Sequence, residues 1–185
     1  TNTSLSKVGI CDVDDLYNKV KNVFKWDALS RKDYYIDYQN FYTFVGVVSQ
    51  RRLFTQVAEK LTERGDKEKA IEILDLCQKC VPKENFPLDM SYLSLNNERD
   101  VMMIIEAYKD AGATDKALAL AKEFCESLLV SAKFYSENYY LTETFLKRVC
   151  DLLSYEIGLV DRLGDKQASE EYEEILLGYI NDMNE

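Results

Sequence analysis

The apolar residues are spaced most regularly after Gln50, where they follow the period of two consecutive helices. The first apolar face has the i, i+3, i+4, i+7 spacing of an amphipathic helix and comprises Phe54, Val57, Ala58 and Leu61. The second apolar face comprises Ala70, Ile71, Leu74 and Cys77. Gly65 lies between the two faces, where it can end the first helix, and Pro82 stops the second. This pattern predicts a helix–turn–helix hairpin.

The hairpin pattern recurs around Gly112. Apolar residues at helical spacing flank this glycine: Val101, Ile104, Ile105, Tyr108, Ala117, Ala121 and Phe124. A Lys-Ala pair follows the glycine at the same distance in both copies, as Lys69-Ala70 and as Lys116-Ala117. A third, fainter copy surrounds Gly164 and comprises Leu153, Ile157, Val160 and Ala168. The chain is therefore predicted to contain repeated helical hairpins.

The repeated hairpin resembles the tetratricopeptide repeat. The first copy has suitable residues at the signature large, small and proline positions: Phe54, Val57, Ala58, Leu61, Ala70, Leu74 and Pro82. The copies are spaced more widely than the roughly 34 residues of that repeat, so each link is expected to carry an insertion. Residues 85–97 are predicted to form a loop, and residues 138–148 an extra helix. The expected fold class is all-α, with tetratricopeptide-like helical hairpins stacked in an irregular α-solenoid.

The residues before the first hairpin have a different pattern. Residues 17–27 are predicted to form a helix, with an inward face of Leu16, Val20, Val23 and Phe24. Residues 33–48 are crowded with aromatic side chains and are predicted to be an extended segment entering another helix near Tyr38. We therefore expect an N-terminal helix and aromatic-rich capping segment over residues 1–48. Residues 49–185 would hold the helical repeats and form one compact unit with that segment.

Composition and charge narrow the classes of function. The chain has 185 residues with only 7 Gly and 2 Pro, which favours long helices, and no apolar run is long enough to span a bilayer. Its formal net charge of −10 argues against nucleic-acid and anionic-membrane partners. The first methionine is Met90, so we expect the sequence to be a processed product or a piece of a longer protein.

The stretch CQKCVP, from Cys77 to Pro82, could be a redox site, half of a metal site, or the end of a helix. The two cysteines lie near a predicted helix end, where the helix dipole would raise a thiol pKa, and no strand precedes them. The sequence has no histidine, and the remaining cysteines are isolated. Packing is therefore favoured over a disulfide or a metal site. We expect no metal, no cofactor and no catalytic residue.

Aromatic residues near the start could form a platform for sugar rings. The candidates are Trp26, Tyr34, Tyr35 and Tyr38. The alternative, which we favour, is that these rings cap the open end of the helical stack. The carboxylate runs around Asp14 and Glu173 are interpreted as solvated or as helix N-terminal residues rather than as acid–base pairs.

Tetratricopeptide repeats bind partners on the concave face formed by the first helix of each hairpin. By the repeat match, the candidate partner-binding residues are Arg52, Thr55, Glu59, Arg99, Met102 and Glu106, with Thr62 and Lys109 beside them. Arg and Glu occupy the same relative positions in both copies. They could contact a protein partner, or they could pair with each other along each helix.

Most of residues 16–125 also resemble the C-terminal soluble part of a Bacteroidetes-type family of multi-spanning membrane proteins similar to protein O-mannosyltransferases. The resemblance is carried by YNKVKNVFKW at Tyr17 to Trp26, Tyr35-x-Asp37, the run from Gln50 to Pro82, and EAYKDAG at Glu106 to Gly112. It implies a tetratricopeptide-like region attached to a GT-C-type glycosyltransferase domain. The catalytic residues of such a family would lie in the membrane domain, and Asp27 departs from the glycine expected after FKW.

Two functions follow as expectations. In the first, the chain is a non-catalytic domain of a membrane-bound glycosyltransferase-like protein, on the periplasmic side of the inner membrane, and positions an acceptor protein or another subunit. The parent protein would then be a possible enzyme. In the second, the chain is a free-standing adaptor that binds a protein partner in the cytoplasm.

Overall fold

The computed structural model describes residues 12–33, 50–89 and 97–182, except for the side chains of residues 97, 98, 139–142 and 182. These ranges contain seven α-helices and no β-strand, which confirms the all-α prediction. The helices are α1 (Val13–Asn18), α2 (Gln50–Glu63), α3 (Lys67–Cys80), α4 (Asn97–Asp110), α5 (Thr114–Glu137), α6 (Tyr139–Arg162) and α7 (Lys166–Asp182). A π-helical turn, Lys19–Val23, continues α1.

Three helical hairpins, α2–α3, α4–α5 and α6–α7, have the same turn. Each turn contains a glycine with positive φ: 89° at Gly65, 89° at Gly112 and 107° at Gly164. In the first, the Gly65 amide donates to the Thr62 carbonyl at 2.9 Å and the next amide to the Leu61 carbonyl at 2.8 Å. This is the Schellman pattern, which satisfies two carbonyls that the end of a helix would otherwise leave unpaired. The glycine spacing in the sequence predicted all three turns.

The hairpins pack against one another in chain order. Helix α2 contacts α3 and α4, α4 also contacts α3 and α5, and α5 contacts both α6 and α7. The buried apolar side chains form a single cluster across these contacts. Its largest fully buried apolar members are Phe54, Phe86, Phe124, Leu61, Ile73, Leu74, Ile104, Ile105, Leu128 and Leu146. The first and second hairpins thus place α2 and α4 side by side.

The first helix differs from its prediction. It begins at Val13 rather than near Tyr17, and its last turn is π-helical, with the Phe24 amide donating to the Lys19 carbonyl at 2.9 Å. The inward positions Val23 and Phe24 were predicted wrongly, because these side chains are 60% and 41% exposed. The wider π-turn rotates later residues away from the face that ordinary helical spacing predicts. Only Val20 of this turn is fully buried.

Residues 12–33 are attached to the first hairpin. The Trp26 ring packs on Phe54 of α2 with ring centroids 5.0 Å apart, and the Tyr17 hydroxyl donates to Glu72 of α3. The Lys21 amine lies 2.6 Å from the same carboxylate. This segment therefore packs along the α2–α3 hairpin.

The insertion between the second and third hairpins is not a separate helix. The extra helix was predicted over residues 138–148, and residues 139–148 are instead the first part of the 24-residue helix α6. Helix α5 is equally long, so α5 and α6 extend beyond the other hairpins. At their far end the Tyr135 and Phe145 rings stack at 5.7 Å. Among the helices of the three described ranges, none has the length and apolar content that a bilayer crossing requires.

Candidate functional site

A groove lies between α2 and α4, the first helices of two neighbouring hairpins. It has a volume of about 320 Å³, and its lining residues are Glu59, Thr62, Glu63, Glu106, Ala107 and Asp110. Four of these six side chains are carboxylates, so we refer to it as the acidic groove. The groove lies on the face that the repeat pattern predicted for partner binding.

Two of the groove carboxylates, Glu59 and Glu106, occupy equivalent positions in two hairpins. Glu59 precedes Gly65 by the same number of residues as Glu106 precedes Gly112. Because α2 and α4 pack side by side, this equivalence brings both side chains into one groove. Sequence analysis predicted both residues as candidates, and the structure brings them together.

Two lysines near the groove pair with the other two groove carboxylates, Glu63 and Asp110. The Lys60 amine lies 2.7 Å from Glu63, and the Lys109 amine lies 3.8 Å from Asp110. Within the described parts of the chain, no lysine or arginine lies within ion-pair distance of Glu59 or Glu106. The groove therefore contains two carboxylates, Glu59 and Glu106, that have no counter-ion among the described residues.

Neighbouring carboxylates repel the carboxylate of Glu59. Partial burial raises the pKa of this carboxyl group, and the neighbouring carboxylates of Glu63, Asp110 and Glu106 raise it further. The Lys60 amine acts in the opposite direction. A cation bound here would relieve a repulsion that the fold imposes on the groove.

Helix α6 meets the groove through Tyr155. The Tyr155 hydroxyl donates to the Glu106 carboxylate at 3.1 Å. The Arg162 guanidinium lies over the Tyr155 ring, 5.8 Å from its centroid. Tyr155 therefore connects Glu106 of the groove with a guanidinium group of α6.

Next to Tyr155 on α6 lies a further glutamate, Glu156, which is fully buried. Neither of its carboxyl oxygens has a hydrogen-bond partner. Burial, followed by the nearby Glu106 carboxylate, raises the pKa of Glu156 to about 7, while Arg162 lowers it. Its carboxyl group is thus close to the midpoint of its titration at neutral pH.

Glu156 was missed by sequence analysis, although the sequence contains a signal for it. It precedes Gly164 by the same number of residues as Val57 precedes Gly65 and Ile104 precedes Gly112. Both of those residues are buried in the core. The other two hairpins have an aliphatic residue at this position. The carboxyl group in the third hairpin is therefore the sequence signal that could have identified Glu156.

The other predicted partner-binding residues have different environments. Arg52 donates to Asp100 of α4 through Nε at 3.0 Å and Nη2 at 2.8 Å. Thr55 is fully buried, and its hydroxyl donates to the Arg51 carbonyl, so it is not accessible to a partner. Its small side chain fills space in the core instead.

The remaining two predicted positions lie on α4. Arg99 is exposed, and Met102 is half-buried against the core. The alternative of pairing along each helix does not occur, because no ion pair joins Arg52 to Glu59 or Arg99 to Glu106 in the described residues.

Only one member of the predicted glycan platform can be placed. The Trp26 indole packs between Phe24 and Phe54, and its Nε1 donates to the Val20 carbonyl at 2.7 Å. Tyr34, Tyr35 and Tyr38 lie outside the described residues. The platform therefore stays a prediction, with Trp26 serving to anchor the N-terminal segment.

The C-x-x-C pair ends helix α3, as predicted. Cys77 and Cys80 are both buried, and burial raises the pKa of Cys77 to about 12. Cys125 and Cys150 are also buried with raised pKa values. Thiols in this state are poor nucleophiles. A search of the described ranges finds no cluster of side chains suited to hold a metal ion.

No protein family, no curated protein and no solved structure was found to match this chain.

Proposed function

We propose that this chain is a non-catalytic, tetratricopeptide-like binding module that holds a segment of a partner protein in the acidic groove. Three hairpins with the same glycine turn, packed in chain order, support the repeat interpretation. The observation that carries the proposal is the placement of Glu59 and Glu106. They are equivalent residues of adjacent hairpins, open to solvent, and without a counter-ion in the described residues.

The chemistry of the site supports binding rather than catalysis. Burial raises the pKa of Glu156 to about 7, yet its oxygens are buried and cannot touch a substrate in this conformation. The four described cysteines are buried as well. The accessible groups of the groove are carboxylates, a hydroxyl and backbone, which suit recognition of a polypeptide.

The biological setting is a further part of the proposal, and it rests on the sequence resemblance. In that setting, the module belongs to a membrane-bound glycosyltransferase-like protein, lies on the periplasmic side, and positions an acceptor protein or another subunit. The alternative is a free-standing cytoplasmic adaptor. Both settings use the same groove for a protein partner.

Fractionation of native cells with an antibody to this domain distinguishes the settings. A band much larger than 21.4 kDa in the membrane pellet, digested by protease outside the inner membrane, supports the glycosyltransferase setting. A soluble band near 21.4 kDa supports the adaptor.

Selection from a random displayed peptide library on the immobilised chain tests the binding function itself. We expect enriched peptides whose binding perturbs the backbone amide signals of Thr62, Ala107 and Asp110. Failure to enrich any peptide, or enrichment of peptides that bind elsewhere, would contradict the function. Immobilised protein carrying Glu170→Gln and Glu173→Gln on α7 provides a control with altered charge outside the groove.

A further inference from the structure

The acidic groove has the features of a receptor for positive charge. Glu59 of α2 and Glu106 of α4 both line it, and within the described residues neither carboxylate has a lysine or arginine at ion-pair distance. The chain as a whole carries a net charge of −10, so a basic partner is also attracted over a longer range.

A second observation is the buried acid next to Tyr155, the residue of α6 whose hydroxyl donates to Glu106 of the groove. Glu156 is fully buried and both of its oxygens lack a hydrogen-bond partner, which is unusual in folded proteins. Its carboxyl group interacts with Glu106 of α4 and Cys125 of α5, and with Tyr155 and Arg162 of its own helix. Of these groups, only Arg162 favours the ionised form.

We propose that the acidic groove binds a lysine or arginine side chain of the partner polypeptide between Glu59 and Glu106, and that this binding releases a proton from Glu156. The inference rests on the proposed function and specifies the chemistry of the partner. Burial keeps Glu156 protonated, and repulsion by the Glu106 carboxylate adds to this effect. A bound cation near Glu106 offsets the repulsion. The acid then loses its proton to solvent and becomes a carboxylate, so binding and ionisation favour each other.

Tyr155 contacts one of the carboxylates that would bind such a side chain. Its hydroxyl orients Glu106, and its face already attracts the Arg162 guanidinium. An arginine of the partner can present its planar fork to a groove carboxylate. These contacts are charge-assisted, so each is stronger than a hydrogen bond between neutral groups.

Nuclear magnetic resonance titration of the chain with two defined peptides tests the proposal. The first probe is acetyl-Gly-Ala-Arg-Ala-Gly-amide, and the second carries citrulline, which has the shape of arginine without its charge. We expect the arginine peptide to shift the amide signals of Thr62, Glu63, Ala107 and Asp110. We expect the citrulline peptide to bind about tenfold more weakly, as loss of a charge-assisted contact predicts.

Matched variants separate the groove from general charge. The Glu59→Gln, Glu106→Gln double variant is expected to bind the arginine peptide about tenfold more weakly. The Glu170→Gln, Glu173→Gln variant changes the net charge equally on exposed residues of α7 and is expected to bind like the unmodified chain. Equal binding of the two probes, or equal binding by the two double variants, would overturn the inference.

The proton release has its own readout. Affinity of the unmodified chain for the arginine peptide is expected to rise about two- to threefold between pH 6 and pH 8, because binding competes with the proton on Glu156. In Glu156→Gln most of this rise should be lost, with only the raised pKa of Glu59 left to contribute. A flat profile for the unmodified chain would overturn the coupling.

The test also separates this inference from the proposed function. If selected peptides occupy the groove without a basic residue, the binding function stands and the basic-partner inference fails. If no peptide of any kind occupies the groove, both fail. Spermidine binding there more tightly than the arginine peptide would overturn the choice of a polypeptide as the source of the cation.

Discussion

Glu156 occupies the core position in the third hairpin that Ile104 occupies in the second, at the same distance before a turn glycine. One hairpin therefore buries a carboxyl group where its neighbour buries an aliphatic side chain. Neither oxygen of that carboxyl group has a hydrogen-bond partner. Ionising this carboxyl group inside the core is unfavourable. The free energy of unfolding should therefore depend on pH.

The first prediction concerns pH. Glu156 has a pKa of about 7 in the folded chain against an ordinary glutamate value of 4.5, so between these values the unfolded chain loses a proton that the folded chain keeps. Its contribution to the free energy of unfolding should therefore fall as the pH rises from about 4.5 to 7, by up to about 3 kcal/mol. Urea unfolding of the unmodified chain and of Glu156→Gln measures the difference at each pH.

Replacing the acid by an aliphatic residue provides the control for that experiment. Glu156→Leu should raise stability at pH 8 by about 2 kcal/mol, because it restores the apolar character that Val57 and Ile104 have at the equivalent positions. A stability difference between the unmodified chain and Glu156→Gln that stays constant from pH 4.5 to 8 would show that Glu156 is not a buried, titrating acid.

The second prediction concerns Arg52, which sequence analysis placed on the binding face. Because Arg52 satisfies the buried carboxylate of Asp100, Arg52→Ala should lower the free energy of unfolding by about 1 to 2 kcal/mol. Peptide affinity at the groove should change little. A double-mutant cycle with Asp100→Ala measures the coupling, and a coupling near zero would contradict a structural role for the pair.

The third prediction concerns the turns between helices. Gly112 has a φ of 89°, so Gly112→Ala should cost about 1 to 2 kcal/mol even though nothing crowds the added methyl group. Gly178 lies in α7 with ordinary helical geometry and open space around it. Gly178→Ala should therefore raise stability by about 0.5 to 1 kcal/mol. Thermal unfolding measures both, and changes of the same sign would contradict the turn geometry.

The fourth prediction concerns the cysteines. Cys77 and Cys125 are fully buried with raised pKa values, so iodoacetamide should leave both unmodified in the native chain. In concentrated urea both should react, which provides the control. Mass spectrometry counts the modified thiols. Rapid native alkylation of Cys77, or its disulfide with Cys80 after mild oxidation, would revive a redox role for the C-x-x-C pair.

Sequence pattern was sufficient for those parts of the fold that depend on local chemistry. The turn glycines and the apolar periods around them predicted the three hairpins, and the hairpin equivalence predicted Glu59 and Glu106. These features were predictable because a Schellman turn requires particular residues close together in the chain.

Features that depend on contacts distant in sequence were not predictable in this way. The pairing of Arg52 with Asp100, and the burial of Thr55, arise where α2 meets α4. Helical period could not reveal the π-turn that exposes Val23, because the period itself changes there. Glu156 was missed for another reason. Leu153 and Ile157 on either side of it are apolar and buried, so the segment fits a buried helical face without the acid being considered.

Isothermal titration of a library-selected peptide tests the central claim most directly. We predict that the Glu59→Gln, Glu106→Gln variant binds that peptide about tenfold more weakly than the unmodified chain. The Glu170→Gln, Glu173→Gln variant should bind it with unchanged affinity. Equal affinities for all three proteins would contradict the claim that the groove between α2 and α4 is the binding site.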